Sequence, residues 1–118
     1  MNGSQKSAPV TGSDFTECCA AGLSCPIPDE SAEQLASVVK ALAHPARLQL
    51  LALIRSSPTA DACVCDLTDA LSLRQPTVSH HLKILTDAGI LRREQRATWA
   101  WYSIEPQRLT DLAALLTS

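Results

Sequence analysis

Aromatic residues are almost absent from this chain of 118 residues, which has one phenylalanine, one tyrosine and two tryptophans. Its composition is nevertheless 46% hydrophobic and 19% charged, so it has enough apolar side chains to bury a core. That core must be aliphatic, and leucine-rich helices are the natural way to build one. At this length we expect a single small domain.

Long apolar runs are also missing. No stretch approaches the roughly 18 apolar residues of a membrane span, and the N-terminus lacks the charged start and apolar stretch of a secretory signal. We therefore expect a cytoplasmic protein with no membrane partner. In that reducing compartment cysteines stay thiols unless they bind a metal or respond to oxidants.

Charge is distributed unevenly. Residues 1–33 carry a single lysine against five acidic side chains, whereas residues 74–98 carry five basic side chains against two acidic ones. A basic stretch inside an acidic protein indicates a local surface for a polyanion, although a solvated face would have the same composition.

The chain divides by composition into an arm and a domain. Residues 1–28 are rich in Ser, Gly, Thr and Pro and show no helical or strand period. They are predicted to form a flexible N-terminal arm, which carries Cys18, Cys19 and Cys25. Residues 29–118 are predicted to form the folded domain.

Within the domain, the spacing of Leu, Val and Ala predicts five helices and one β-hairpin. The helices cover roughly 31–43, from Pro45 to "SSPTAD", 64–71, from Pro76 to Gly89, and 106–116. The hairpin strands are Ile90–Glu94 and Trp99–Ile104, with Gln95–Thr98 at the tip. A mostly helical chain with a small hairpin, in the order α-α-α-α-β-β-α, is a winged helix-turn-helix.

The fourth helix has one apolar side and one polar side. On a wheel of about 100° per residue, Leu82 and Leu85 lie within about 40° of Val78, and the three form one aliphatic stripe. The opposite side presents a hydroxyl, an imidazole and an ammonium group, from Ser79, His80 and Lys83. Such groups suit base edges and phosphates in a major groove.

The remaining candidates for DNA contact surround this helix. The positive N-terminal end of the helix favours a phosphate, and three arginines of the hairpin suit the flanking backbone or the minor groove. The complete predicted DNA-binding set is Arg74, Gln75, Thr77, Ser79, His80, Lys83, Arg92, Arg93 and Arg96.

Four stretches, "ALAHPARLQLLALI", "CVCDLTDAL", "QPTVSHHLKILTDAGIL" and "WAWYSI", resemble the ArsR/SmtB family of metal-sensing repressors. The resemblance covers about residues 31–117 and is closest to the arsenic-sensing members. It implies a homodimer that pairs through its first and last helices, binds a palindromic double-stranded operator and releases it when a metal arrives. No other protein partner is expected. One departure is Arg74, where the family usually has a Ser that caps the reading helix.

The resemblance makes "CVCDL" the metal-binding segment, with Cys63 and Cys65 as ligands. Residues two apart on a helix point about 200° away from each other. The two thiolates can share an ion only if the first turn is unwound or the helix starts at or beyond Cys65. If Asp61 caps a helix that includes Cys63, only one thiolate reaches the ion.

The other expected ligands are Cys18 and Cys19, whose mutual disulfide would be strained. An all-sulfur set selects soft ions, and we expect trivalent arsenic or antimony as inducer, with Cd, Pb or Zn as alternatives. Three thiolates suit arsenic, and four suit a tetrahedral ion. The last helix contains Glu105 and Asp111 but no His, which disfavours a His-based zinc site there. For Cys25, a structural role is favoured.

Two further hypotheses remain. The protein could be a repressor that senses redox change through disulfides of Cys18/Cys19 or Cys63/Cys65. It could instead be a thiol enzyme, which would need Cys-X-X-Cys or a nucleophilic Cys on a phosphate-binding loop. The sequence has neither pattern and only four glycines, so we expect no enzymatic activity.

Overall fold

The computed structural model describes residues 22–23 and 25–117, and the order of its elements confirms the predicted winged helix-turn-helix. This part of the chain contains five helices and three strands. In chain order they are α1 (Asp29–Leu42), α2 (Pro45–Ser56), β1 (Asp61–Cys63), α3 (Val64–Leu71), α4 (Gln75–Asp87), β2 (Leu91–Arg96), β3 (Trp99–Ile104) and α5 (Pro106–Leu116).

The chain forms two compact units, residues 1–33 and residues 34–118. Cys18 and Cys19 lie outside the described residues, as does most of the predicted arm. Cys25 is described, belongs to the first unit and is half-buried. The second unit holds the sheet, four complete helices and most of α1, and therefore contains the predicted DNA-binding elements.

Within the described residues, no single helix combines the length and the apolar composition needed to cross a membrane. Helices α1 and α2 pass that test only as a pair, which is bent by 93° at the break between them.

His44 and Pro45 explain why the chain turns between α1 and α2. His44 is extended, and its Nδ1 accepts a hydrogen bond of 3.0 Å from the backbone N–H of Ala46. Pro45 occupies the first turn, where its missing N–H costs no helical hydrogen bond. The predicted break between a first helix ending near residue 43 and a second helix beginning at Pro45 is confirmed.

The sheet has three strands in the order β1-β3-β2, and both pairings are antiparallel. Strand β1 was not predicted, because three residues are too few to show an alternating pattern. Its residues Asp61, Ala62 and Cys63 pair with Ser103, Tyr102 and Trp101 respectively. The wing is therefore not an isolated hairpin, since its second strand also pairs with the residues that lead into α3.

The hairpin turn is tighter than predicted. Strand β2 continues to Arg96, which pairs with Trp99, so only Ala97 and Thr98 form the tip. Ala97 has a left-handed φ of 56°, and its carbonyl accepts a hydrogen bond of 3.0 Å from the Gln95 side chain. Gln95 therefore belongs to strand β2, which the polar composition of "EQRAT" did not indicate.

The core of the second unit is aliphatic, as the shortage of aromatic residues requires. The predicted stripe of α4, Val78, Leu82 and Leu85, is fully buried. It packs with side chains from every other element around it, including Leu50, Ile54, Leu67 and Ile90. Among the described aromatic residues, Tyr102 is the one that is buried. The apolar side of α4 is thus fixed in the core, and its polar side faces outward.

Gly89 ends α4 in the predicted left-handed conformation, with φ of 82°. Its N–H donates to the Thr86 carbonyl at 3.0 Å, and the next N–H, of Ile90, donates to the Leu85 carbonyl at 3.0 Å. A Cβ at this position would also come within 3.3 Å of the Arg108 side chain. Glycine is therefore favoured here by the left-handed backbone, and a larger residue would also displace the Arg108 side chain by a few tenths of an ångström.

Two leucines of α2 provide a test of the core. Leu50 is completely buried whereas Leu48 is 52% exposed. We expect Leu50→Ala to lower the free energy of unfolding by about 2–5 kcal/mol, because it leaves a cavity. Leu48→Ala should change it by less than about 0.5 kcal/mol. Urea denaturation followed by circular dichroism, at one protein concentration, measures both; equal losses would contradict the packing described.

Candidate nucleic-acid interface and cysteine pair

The predicted DNA-binding residues of α4 lie at its exposed N-terminal half. Gln75, Thr77, His80 and Lys83 are exposed, and Ser79 is half-buried. Arg74 occupies the cap position with no hydrogen bond from its side chain, so the N-terminal N–H groups of α4 lack a side-chain cap. Arg74 therefore does not supply the side-chain cap that the resemblance associates with Ser at this position.

A groove of about 660 Å³ separates α4 from the wing. Four of the predicted DNA-binding residues line it: Gln75, Ser79, Lys83 and Arg93. Trp99, at 45% exposure, also lines it. This concave surface combines the cations of Lys83 and Arg93 with hydroxyl and amide side chains and an exposed indole, a combination that suits a phosphate backbone. Its one carboxylate, Asp87, forms an exposed ion pair with Lys83 at 3.0 Å, which holds the ammonium group only weakly against a competing phosphate. The sequence placed Trp99 in a hairpin strand but did not indicate that it lines this groove.

The three wing arginines differ in their contacts. Arg92 pairs with Glu105, and Arg93 donates to the Gln95 side chain at 2.8 Å. The Glu105 side chain is 35% exposed and Gln95 is exposed, so solvent weakens both contacts and they hold the guanidinium groups only loosely against competing phosphates. The structure therefore places Arg92 outside the groove that Arg93 lines.

Arg96 is turned back over the sheet. Its Nη2 lies 2.8 Å from Asp61 and 2.9 Å from Glu94, and its Cζ lies 4.7 Å from the ring centroid of Trp101. The hydrogen bonds that Arg96 donates to Glu94 and then to Asp61 raise the pKa of Arg96, so it stays charged. The hydrogen bond from Thr59, followed by that from Arg96, lowers the pKa of Asp61. Arg96 was predicted to lie at the exposed tip of the hairpin, and no sequence pattern indicated these partners.

His81 is a buried residue that the sequence analysis did not assign. Its ring is 8% exposed, lies 4.5 Å from the ring of His44, and has its Nδ1 3.4 Å from Nη1 of Arg47. Burial lowers the pKa of His81, and the neighbouring His44, Arg47 and His80 lower it further. A signal was available, because His81 lies about 60° from Val78 on the helical wheel. This cluster anchors α4 on α2.

Cys63 and Cys65 are brought together at the start of α3. Cys63 ends β1 with an extended backbone (φ −77°, ψ 145°) and caps α3, and its Sγ accepts a hydrogen bond of 3.4 Å from the N–H of Cys65. The structure joins the two Sγ atoms in a disulfide, with the Cα atoms 5.3 Å apart. Cys63 is buried and Cys65 half-buried.

This geometry decides between the alternatives for the pair. The helix begins at Val64, one residue earlier than a shared site was expected to require. Cys63 nevertheless precedes the helix and is extended, so its side chain does not have to point about 200° away from that of Cys65. Asp61 does not cap a helix that contains Cys63. Once reduced, both sulfur atoms can therefore reach one ion.

Two thiolates do not complete a site for a soft ion. Across residues 22–23 and 25–117, no third His, Cys, Asp or Glu joins the pair in a cluster with metal-binding geometry. The donor set nevertheless fits such an ion chemically, because it is sulfur alone. Any further thiolates would have to come from elsewhere, and Cys18 and Cys19 remain the predicted source.

Comparisons with known proteins agree with this fold. Residues 44–93 match the family model described as bacterial regulatory protein, arsR family. An HTH-type transcriptional regulator of Methanocaldococcus jannaschii is 38% identical over 87 residues, which cover 74% of this chain and 96% of that protein. The chain belongs to the ArsR family. The arsenical resistance operon repressor of Bacillus subtilis is 38% identical over 73 residues, covering 62% of this chain and 68% of the repressor. Regulators of this family bind DNA and are not enzymes.

Two solved structures extend the comparison of this ArsR-family chain. The antimony-specific transcriptional repressor AntR is 30% identical, with a TM-score of 0.61, and the matched region covers 78% of this chain and 82% of the AntR chain. A homodimeric winged helix-turn-helix domain from Mycobacterium bovis is 28% identical, also with a TM-score of 0.61, and covers 78% of this chain and 85% of its own. The winged helix-turn-helix assignment is confirmed.

His81 makes the stability of the fold depend on pH. Its pKa is lowered from 6.5 in the folded state, so as the pH falls through 6.5 the unfolded chain binds a proton that the folded chain does not. The free energy of unfolding should therefore be greatest above pH 7 and decline toward pH 5. Urea denaturation at several pH values between 8 and 5 measures this decline.

His81→Gln should reduce that decline, because the buried imidazole is gone. The control is His80→Gln, which removes an exposed imidazole from the same helix. It should keep most of the wild-type dependence of the unfolding free energy on pH. A decline that is identical in wild type and His81→Gln would show that this burial is not its cause.

Proposed function

We propose that this protein is a metal(loid)-responsive transcriptional repressor. As a homodimer it binds a palindromic operator, and it dissociates when trivalent arsenic or antimony binds to cysteine thiolates. Cys63 and Cys65 supply two ligands, and Cys18 and Cys19 of the arm supply the others. The observation that carries this proposal is the convergence of the Cys63 and Cys65 sulfur atoms at the N-terminus of α3, the helix that leads into α4.

The groove between α4 and the wing supports operator binding. Ser79 and Lys83 line it from α4, and Arg93 lines it from strand β2 of the wing. The exposed N-terminal half of α4 reads base edges in the major groove, while the wing contacts the flanking backbone. Arg74, Thr77, His80, Arg92 and Arg96 extend this surface beyond the groove.

Exposed apolar side chains support dimerisation through the first and last helices. Leu115 and Leu116 of α5 are 52% and 72% exposed, and Val39 of α1 is also largely exposed. Leucines grouped at the end of a helix are costly in water, and a second copy of the chain would cover them. A two-fold dimer also matches the two half-sites of a palindromic operator.

Sulfur-only coordination supports arsenic or antimony as the inducer. Arsenous acid forms one As–S bond per thiol, and each bond releases one water made from an arsenic hydroxyl and the thiol proton, with arsenic remaining trivalent. Relatives include an arsenical resistance repressor and an antimony-specific repressor. A Cd- or Pb-responsive repressor with four thiolates is the alternative, with Zn also compatible.

The core provides a route from the cysteine pair to the DNA surface. Val64 and Leu67 of α3 are buried in the same cluster as Val78 and Leu82 of α4. A shift of α3 is therefore transmitted to α4 and changes the spacing of the two reading helices of a dimer. A 100-fold loss of operator affinity corresponds to about 2.7 kcal/mol of coupling.

A redox-sensing repressor is the second candidate, and the joined Cys63 and Cys65 sulfur atoms favour it. Hydrogen peroxide would accept two electrons and two protons from the two thiols, giving two waters and the disulfide. Peroxide would then release the operator from metal-free protein, and excess dithiothreitol would restore binding. Release of the operator from fully reduced protein by arsenite, with no oxidant present, distinguishes the arsenic sensor from this alternative.

Ser79 and Lys83 test the DNA interface. The probe is a labelled duplex selected from a random library by the wild-type protein. We expect Ser79→Ala and Lys83→Gln to weaken binding by about 3- to 30-fold each, because each loses a contact to the duplex. Gel shifts measure the affinity, and circular dichroism checks that the fold is intact. Gln107→Ala, on exposed α5, is the control; wild-type affinity in both interface variants would contradict this interface.

Inducer selectivity tests the cysteine site. The reduced protein bound to the selected duplex is titrated with arsenite, Cd, Pb and Zn. We expect arsenite to release the DNA, and Cys63→Ser and Cys65→Ser each to lower the arsenite sensitivity at least about tenfold because a ligand is lost. Cys18→Ser and Cys19→Ser should also lose sensitivity, whereas Cys25→Ser serves as the control that retains it. Release by Cd but not by arsenite would select the four-thiolate alternative.

A further inference from the structure

Arg96 reaches across the whole width of the sheet. It belongs to β2, and Asp61 belongs to β1, with β3 between the two strands. Its Nη2 nevertheless lies 2.8 Å from Oδ2 of Asp61, and the guanidinium passes over the ring of Trp101 in β3. This ion pair therefore connects the outer strand of the wing directly to the strand that carries Cys63.

Asp61 is well fixed for this role. Its side chain is 15% exposed, and its other oxygen, Oδ1, accepts a hydrogen bond of 2.6 Å from the Thr59 hydroxyl. Arg96 is the more mobile partner, since its side chain is 43% exposed and its second carboxylate, Glu94, is largely in solvent. Asp61, in β1, therefore fixes the position of the Asp61–Arg96 ion pair.

Cys63 is directly linked to the same contacts. It lies opposite Trp101 in the β1–β3 register, and residues directly opposite share a face of the sheet with Cβ atoms about 5 Å apart. Asp61 is two residues away on the same short strand and points to that face as well. A displacement of Cys63 therefore moves both the carboxylate and the indole that hold Arg96.

From this arrangement we infer that Asp61 is a positioning residue that withholds Arg96 from DNA when the Cys63–Cys65 pair is closed. This inference rests on the proposed function. The pair is closed in this structure, and the Asp61–Arg96 contact is formed. Opening the pair releases β1 from that position, and the guanidinium exchanges the carboxylate for a DNA phosphate. Closing it, around an ion or by oxidation, restores the carboxylate as an internal competitor.

Asp61→Asn separates this role from a structural one. Asparagine keeps the Oδ1 acceptor for Thr59 and removes only the charge that faces Arg96. We expect operator affinity of the reduced, inducer-free protein to change less than about twofold. With arsenite present, the residual affinity should rise, so that the loss of affinity caused by arsenite becomes at least about threefold smaller than in wild type.

The salt dependence gives a second readout. With arsenite present, Asp61→Asn should add about one unit to the slope of log affinity against log salt, because one more phosphate is neutralised. Asp69→Asn removes the same charge from an exposed position of α3 and should change neither the slope nor the arsenite response. If Asp69→Asn has the same effect, the change in net charge explains the result and the inference is overturned.

The double variant identifies the partner. In an Arg96→Gln background, Asp61→Asn should have no further effect on the arsenite response, because the restrained group is already gone. An Asp61→Asn effect that persists in that background, or an arsenite response that Asp61→Asn leaves at the wild-type level, overturns the inference.

Failure of the proposed inducer is detected separately. In Cys18→Ser/Cys19→Ser/Cys25→Ser protein, only Cys63 and Cys65 remain, and diamide closes them by taking up the two thiol hydrogens. The operator affinity of the reduced protein, divided by that of the oxidised protein, then replaces the arsenite response as the measured quantity. This ratio is determined with and without Asp61→Asn. If arsenite has no effect but this ratio falls at least about threefold in Asp61→Asn, the inducer is wrong and the inference stands. If the ratio is unchanged, the inference is wrong.

Discussion

The pairing of three residues of β1 with β3 is the constraint on which the rest of this structure depends. It holds Cys63 in an extended conformation, so α3 begins only at Val64. Had the helix begun earlier, Cys63 and Cys65 would point to different sides of it. Because it does not, the two sulfur atoms meet. The same short strand places Asp61 beside the wing, so one local pairing serves the cysteine pair and the DNA surface together.

The site and the DNA surface are therefore physically continuous. On one side, α3 and α4 share the aliphatic core through Val64, Leu67, Val78 and Leu82. On the other side, β1 reaches Arg96 across Trp101. A ligand can alter an equilibrium only by its different affinity for the two states. Through these two sets of contacts, a ligand of the cysteine pair that binds one arrangement of α4 and the wing better than another would shift the protein toward that arrangement.

The anchoring of α4 by His81 adds a condition to this picture. The helix that carries the proposed DNA-contacting residues Ser79 and Lys83 is held on α2 by a buried imidazole next to Arg47 and His44. Such a contact is polar, so it fixes the orientation of α4 more specifically than leucine packing does. Its stability depends on the neutral form of His81, whose pKa is lowered by burial and by neighbouring positive charges.

The sequence alone determined the order of the elements, the apolar stripe of α4, the stop at Gly89 and the family. These are local patterns, since periodicity, proline and glycine act within a few residues. Strand β1, the burial of His81, the partners of Arg96 and the convergence of the two cysteines were decided only by tertiary structure. Each of them joins residues that are distant in the chain, or depends on a strand too short to show a pattern. Whether Cys63 points along a helix or toward Cys65 is settled by its pairing with Trp101, 38 residues away in the sequence.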